Sequence, residues 1–96
     1  MNKIPLPSVA EILADEFMKP FGISAYKLAK DIDVPVSRIQ DILHSRRRIS
    51  VDTALRLSKY FGVSDNFFIN IQSEIELRES KTRQKDKLDG IKPLAS

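Results

Sequence analysis

The sequence predicts an all-α fold of five short helices. Three observations support this: apolar residues recur at helical spacing, no stretch shows sustained two-residue alternation, and capping or breaking residues divide the chain into segments of helical length. A chain of 96 residues supports a single hydrophobic core. We therefore expect one domain over residues 1–80, followed by a polar C-terminal extension over residues 81–96.

Serine, proline and glycine mark the ends of the first two predicted helices. Ser8 with Glu11 fits a capping box, and Pro20 and Gly22 stop the helix that follows. Ser24 can cap the second helix, because its hydroxyl can accept a hydrogen bond from a free amide of the first turn. The apolar side of this second helix comprises Ala25, Leu28, Ala29 and Ile32.

The later helices follow the same pattern. Pro35 is favoured where the third helix begins, because its missing amide donor would be free there anyway. Ser50 can cap a fourth helix that ends at Gly62, and Ser64 can cap a fifth. The inward residues that we predict for these three helices are Ile39, Ile42, Leu43, Ala54, Leu57, Ser58, Phe61, Phe67, Phe68 and Ile71.

Composition and charge narrow the possible functions. No apolar run approaches the length of a membrane span, and without cysteine the chain has neither a disulfide framework nor a thiolate zinc site. Residues 1–5 lack the apolar segment of a secretory signal, so we expect a cytoplasmic protein with no membrane partner. The net charge is only +3, but Arg46, Arg47 and Arg48 are consecutive, and clustered cations favour a polyanionic partner.

An enzyme is not expected. The sequence offers no nucleophile–base pair, metal cluster or phosphate-cradling glycine loop, and His44 is its only histidine. We therefore expect no cofactor, no metal and no small-molecule substrate.

The second and third predicted helices, about residues 24–43, form the most informative segment. Ala29 is small enough to let these helices cross closely at a steep angle, and Asp33 lies in the tight turn between them. Packing through Ile39 and Ile42 leaves the outer face of the third helix clear of the body, so that it can enter a DNA major groove. The residues on this face are Val36, Ser37, Arg38, Gln40, Asp41 and His44.

With these residues the chain resembles the Cro/repressor-type (XRE) helix-turn-helix family, which has the lambda repressor-like fold, and within it the HigA-type antitoxins. Three stretches carry the resemblance: EIL at 11–13 with EF at 16–17 and PFGIS at 20–24; ISVDTALRL at 49–57; and FFINIQ at 67–72. Asp33 and Ser45 stand where the family usually has glycine, and aspartate tolerates the left-handed backbone better than most residues. Phe68 stands where tryptophan is common, and SVA at 8–10 replaces the usual HPG.

The resemblance implies a homodimer that represses its own operon by binding a palindromic operator in double-stranded DNA. It also implies a HigB/RelE-like toxin partner, a ribonuclease that cuts messenger RNA. The base-reading residues that it implies are Pro35, Val36, Ser37, Arg38 and Asp41. The residues implied to contact phosphates or groove edges are Ser24, Tyr26, Lys27, His44, Arg46, Arg47 and Arg48.

The side-chain chemistry of these residues predicts different kinds of contact with DNA. Arg38 can grip guanine O6 and N7 with two hydrogen bonds, a contact worth about 1–3 kcal/mol of discrimination. Asp41 would repel phosphates, so it must either accept a hydrogen bond from cytosine N4 or pair with a nearby arginine. The three consecutive arginines would supply mainly sequence-independent affinity through counterion release.

Two questions stay open at this stage. Phe67, Phe68, Ile71 and Ile75 fit the core and a dimer interface about equally well. The alternative function is a stand-alone phage-type or restriction-control repressor without a toxin, and the match at 67–72 argues against it. A module that binds only proteins is a further alternative, against which Arg38 and the three arginines argue.

Replacing Arg46, Arg47 and Arg48 by alanine is expected to flatten the dependence of DNA affinity on salt concentration, because each phosphate contact releases counterions. Binding isotherms at several salt concentrations measure this slope. An unchanged slope would exclude phosphate contacts at these residues.

Overall fold

The computed structural model describes residues 7–95, which form helices and connecting turns without a β-strand. The all-α prediction is confirmed over this range. The helices are α1 (Val9–Ile12), which continues directly into a π-helical segment (Leu13–Met18), α2 (Ala25–Ile32), α3 (Val36–Leu43), α4 (Val51–Phe61), α5 (Phe67–Arg83) and α6 (Lys85–Asp89). The prediction for the start of the chain, residues 1–5, and the last residue of the predicted extension lie outside the described residues.

Three of the four predicted serine caps are present. The hydroxyls of Ser8, Ser24 and Ser50 each accept a hydrogen bond from the backbone N–H three residues later, at 3.1, 3.1 and 3.2 Å. The prediction for Ser64 is wrong. Helix α5 begins only at Phe67, and the Ser64 carbonyl accepts from the Phe67 N–H at 3.0 Å, so that residues 64–67 close a turn before the helix.

A π-helical turn widens the end of the first helix, which the sequence did not indicate. The Lys19 N–H donates to the Ala14 carbonyl, five residues back, at 2.9 Å. A turn of this width returns to the same side after about five residues, so Leu13 and Met18 both enter the core. The intervening Phe17 packs on the rings of Phe61, Phe67 and Phe68, with centroid distances of 5.2, 5.5 and 5.1 Å.

A single core lies between the π-helical segment, α2, α3, α4 and the start of α5. Its buried members are Leu13, Met18, Leu28, Ala29, Ile32, Ile39, Ile42, Ile49, Ala54, Leu57 and Phe68. Phe68 is 0% exposed, so its side chain has no surface with which to touch a second chain, and its assignment to a dimer interface is wrong. Phe67, Ile71 and Ile75 are only partly buried.

The C-terminal residues continue as helix beyond the core. Helix α5 runs to Arg83 and α6 covers Lys85–Asp89, although every residue from 81 to 95 is exposed. The helix count over the described residues is therefore six, because this solvated segment holds a helical turn that apolar periodicity did not reveal. None of the helices formed by residues 7–95 combines the length and the apolar content that crossing a membrane requires.

One buried polar side chain joins α5 to the segment that follows α3. The amide of Gln72, which is 2% exposed, accepts from the Ile49 N–H and donates to the Ile49 carbonyl, both at 2.8 Å. Both backbone groups of a residue outside any helix are thus satisfied by one side chain, as buried backbone groups require. This contact fixes the end of the loop that carries the three arginines.

We expect Gln72→Leu to lower the free energy of unfolding by about 2–4 kcal/mol, because it leaves the N–H and the carbonyl of Ile49 without partners. Urea denaturation followed by circular dichroism measures the change. Gln40→Leu, the same replacement at an exposed position of α3, is the control and should change stability by less than about 0.5 kcal/mol. Equal effects of the two replacements would contradict the role of Gln72.

Candidate nucleic-acid interface

Helix α3 lies between two residues with left-handed backbone conformation. Asp33, at the end of α2, has φ 60° and ψ 54°, and Ser45, after α3, has φ 59°. The Val34 N–H donates to the Ala29 carbonyl at 3.0 Å, which closes the end of α2 and turns the chain sharply toward α3. Aspartate and serine therefore occupy both of these turns without glycine.

The core determines which face of α3 is available to a ligand. Ile39 and Ile42 are buried against the other helices, so the opposite side of α3 faces outward. Of the predicted base-reading residues, Pro35 and Ser37 are exposed, whereas Val36, Arg38 and Asp41 are half-buried. Pro35 is the residue that precedes the helix, and its carbonyl accepts from the Arg38 N–H at 3.0 Å.

Arg38 is held against α4 rather than extended into solvent. Its side chain is 28% exposed, and its Nη1 lies 4.0 Å from Oδ2 of Asp52. Its Nε is enclosed and has no hydrogen-bond partner among the described residues. The guanidinium therefore has a defined position before any ligand arrives.

Asp41 pairs with an arginine, one of the two environments that its charge allows. Its Oδ1 accepts from Nε and Nη2 of Arg46 at 3.2 and 3.1 Å. At the end of α3, Nδ1 of the exposed His44 hydrogen-bonds with the Gln40 carbonyl at 2.7 Å. Asp41 and Arg46 thus form an ion pair at the edge of the outward side of α3.

The other two arginines of the loop differ in their contacts. Arg48 forms a two-point ion pair with Glu76 of α5, at 2.6 and 2.8 Å, and its hydrogen bonds hold the pKa of the Glu76 carboxyl below its ordinary value. Arg47 is exposed and forms no ion pair within residues 7–95. A shallow groove beside this loop, called the arginine groove below, is lined by Ser45, Arg46, Arg47 and Arg48, by Gln72, Ile75, Glu76 and Glu79 of α5, and by Ser8, Val9 and Ile42.

The start of α2 supplies the remaining predicted contacts. The Ser24 hydroxyl is occupied in capping the helix, whereas Tyr26 is 67% exposed. Nζ of Lys27 lies 2.9 Å from Oδ2 of Asp31, which also accepts from the Tyr60 hydroxyl at 2.6 Å. These contacts, from Tyr60 first and then Lys27, hold the pKa of Asp31 below its ordinary value.

Sequence reasoning missed the side chains that position this interface. Arg56 of α4 donates from Nη1 to the carbonyls of Ile32 and Asp33, at 2.8 and 3.3 Å, and from Nε to Asp52 at 3.1 Å. The only local signal was the four-residue spacing of Asp52 and Arg56, which predicts a pair on one helix face. Nothing local pointed to Gln72 or Glu76, whose partners are more than twenty residues away in the sequence.

Comparisons with known proteins match this architecture. Residues 15–68 match the family described as Helix-turn-helix. The chain is similar to virulence-associated protein I of Dichelobacter nodosus, with 39% identity over 95 residues that cover 99% of this chain and 87% of the relative. The family match includes the whole predicted helix-turn-helix, residues 24–43.

Solved structures extend the similarity to the C-terminal helices. One is the Pseudomonas aeruginosa antitoxin HigA with the higBA promoter, which has 37% identity and a TM-score of 0.84 and covers 92% of this chain and 97% of that chain. Another is an addiction module antidote protein of a HigA family from Coxiella burnetii, with 33% identity, a TM-score of 0.85 and coverage of 94% and 99%. In each comparison the similarity spans nearly the whole length of this chain and of the solved structure.

Glu76→Gln is expected to strengthen binding to a short random-sequence duplex about two- to fivefold, because Arg48 no longer has to leave an anionic partner to reach a phosphate. Fluorescence anisotropy at low salt measures the affinity. Glu74→Gln is the matched control: it removes one carboxylate from the same helix, where Glu74 lies 3.9 Å from Arg78 and away from the arginine groove. Equal gains for the two variants would show a general charge effect and contradict competition for Arg48.

Proposed function

The chain belongs to the XRE-type helix-turn-helix family, and from this premise we propose that it is a HigA-type antitoxin that represses its own operon. In this function a homodimer binds a palindromic operator, and the protein neutralises a HigB/RelE-like, mRNA-cleaving toxin. Membership of this DNA-binding family agrees with the expectation that the chain is not an enzyme. Because the relatives of this chain are bacterial, we propose that it acts in the cytoplasm, where a bacterial operator lies.

The observation that carries the DNA-binding half is the geometry of α3. Two left-handed residues bound this helix, Ile39 and Ile42 anchor its inner face, and its outer face carries short or already ordered polar side chains. Such a helix fits a major groove with its N-terminal residues toward the base edges. Ser37 and Arg38 then contact bases, and two such helices in a dimer reach half-sites about 34–36 Å apart.

The loop after α3 supplies affinity for the phosphate backbone in this proposal. Arg47 is free to reach a phosphate, and Arg46 and Arg48 are held by exposed ion pairs. Exposed pairs of this kind contribute about 0–1 kcal/mol, so exchanging a carboxylate for a phosphate costs little. At the start of α2, Ser24, Tyr26 and Lys27 are proposed to contact the adjoining backbone, with Lys27 exchanging Asp31 for phosphate in the same way.

The dimer and the toxin are proposed to use α5 and α6. Phe67, Ile71 and Ile75 keep part of their surface exposed, and Ile71 and Ile75 line a shallow apolar groove against Ile12. Helical structure extends to Asp89, which favours an antitoxin that docks folded helices on the toxin and does not thread a long segment into its active site. A stand-alone repressor would use α3 in the same way but would have no toxin partner.

Co-purification with the product of the adjacent small gene, followed by footprinting of their shared promoter, tests both halves. We expect a stable complex that suppresses a growth-inhibiting ribonuclease, and a protected near-palindromic site. Protection without any partner would support the stand-alone repressor instead. A protein that protects no site and binds specific and scrambled duplexes equally would refute the DNA-binding half.

A further inference from the structure

We propose that Asp52, which lies on α4 and outside the helix-turn-helix, is a specificity-determining positioning residue that presents the Arg38 guanidinium to a base pair. The inference rests on the proposed operator-binding function and adds the side chain on which base reading by α3 depends. Asp52 itself is exposed in the first turn of α4, between Arg38 of α3 and Arg56.

One carboxylate oxygen of Asp52 serves two arginines in different ways. Its Oδ2 accepts a hydrogen bond from Nε of Arg56 at 3.1 Å, whereas the same oxygen lies 4.0 Å from Nη1 of Arg38. The longer distance is within the range of an ion pair but beyond that of a hydrogen bond. Asp52 therefore attracts Arg38 through its charge and leaves the N–H donors of that guanidinium available to a base.

The enclosed Nε of Arg38 determines which donors remain. This atom has no hydrogen-bond partner among the described residues and is shut off from solvent. An arginine reads guanine through two neighbouring N–H groups that face O6 and N7. With Nε enclosed, the pair left for this contact consists of the two terminal nitrogens of Arg38.

Arg56 ties this arrangement to the turn that directs α3. Its Nη1 donates to the carbonyls of Ile32 and Asp33, at the end of α2, while its Nε holds Asp52. Arg38 is therefore connected, through Asp52 and Arg56, to the same turn that determines the direction of α3. A long side chain ordered in advance loses less rotamer freedom on binding, which favours the correct site over others.

The geometry distinguishes positioning from masking. A carboxylate that withheld Arg38 from DNA would engage its N–H groups directly, as Glu76 does with Arg48 at 2.6 and 2.8 Å. Asp52 stands 4.0 Å away and gives its hydrogen bond to Arg56. The two roles predict opposite signs, because removing a mask strengthens specific binding and removing a positioning group weakens it.

The test compares the affinity for the promoter duplex that the wild-type protein protects with the affinity for a scrambled duplex of the same composition. Asp52→Asn is expected to lower the ratio of these affinities about tenfold, the size of one lost base contact, without weakening binding to the scrambled duplex. In the Arg38→Ala background the same replacement is expected to lower the ratio no further, because Asp52 acts through Arg38. Asp52→Glu keeps the charge and should retain most of the ratio.

Two further variants test whether the effect is specific to the contact between Asp52 and Arg38. Asp15→Asn removes one charge from the exposed side of the π-helical segment, where Asp15 pairs with Lys19 at 2.8 Å, and should leave the ratio unchanged. Arg56→Lys keeps the positive charge but loses the Nε–H that holds Asp52, and should lower the ratio to a smaller extent in the same direction. Circular dichroism establishes that each variant is folded, and Arg56→Lys serves as the test should Asp52→Asn unfold.

Different results would contradict the role of Asp52 and the proposed operator binding. An unchanged or increased ratio for Asp52→Asn would overturn the inference, as would an equal loss with and without Arg38. In those cases the wild-type protein still discriminates and the operator-binding function stands. A wild-type protein that does not discriminate between the two duplexes would overturn the function itself, and the inference with it.

Discussion

The direction in which α3 leaves α2 depends on one residue, Asp33, in the left-handed conformation. A non-glycine residue there costs about 1–2 kcal/mol, and aspartate is among the residues that tolerate it. Arg56 stabilises this turn by donating to the Asp33 and Ile32 carbonyls, which are left without intrahelical partners where α2 ends. Because this turn directs Ile39 and Ile42 into the core, it also determines that the polar side of α3 faces outward.

The other end of α3 is controlled from α5. Gln72 and Glu76 are four residues apart, on one face of that helix, and both contact the loop after α3. The first contact is buried and satisfies two backbone groups, whereas the second is an exposed ion pair that is easily exchanged. The backbone of the loop is therefore firmly held while its arginine side chains remain available to a phosphate.

Local interactions account for what the sequence predicted correctly. A serine hydroxyl caps a helix by accepting from an amide three residues away, so Ser8, Ser24 and Ser50 could be recognised without knowledge of the fold. The predicted cap at Ser64 is absent because a hydrogen-bonded turn over residues 64–67 competes with it. The sequence does not show which of the two is more stable. The π-helical turn also escaped prediction, since the packing of Leu13, Met18 and Phe17 into the core selects it over a regular helix.

The sequence by itself determined the order of α1 to α5, the inner faces of α2, α3 and α4, and the outward position of Ser37, because these follow from a 3.6-residue period and from nearest neighbours. Only the tertiary structure decided what the polar side chains around α3 touch. Arg38 meets Asp52 and Arg48 meets Glu76 across 14 and 28 residues of chain, and Phe68 lies wholly inside the core. Such contacts depend on how whole helices pack, and a charged side chain takes whichever partner that packing brings within reach.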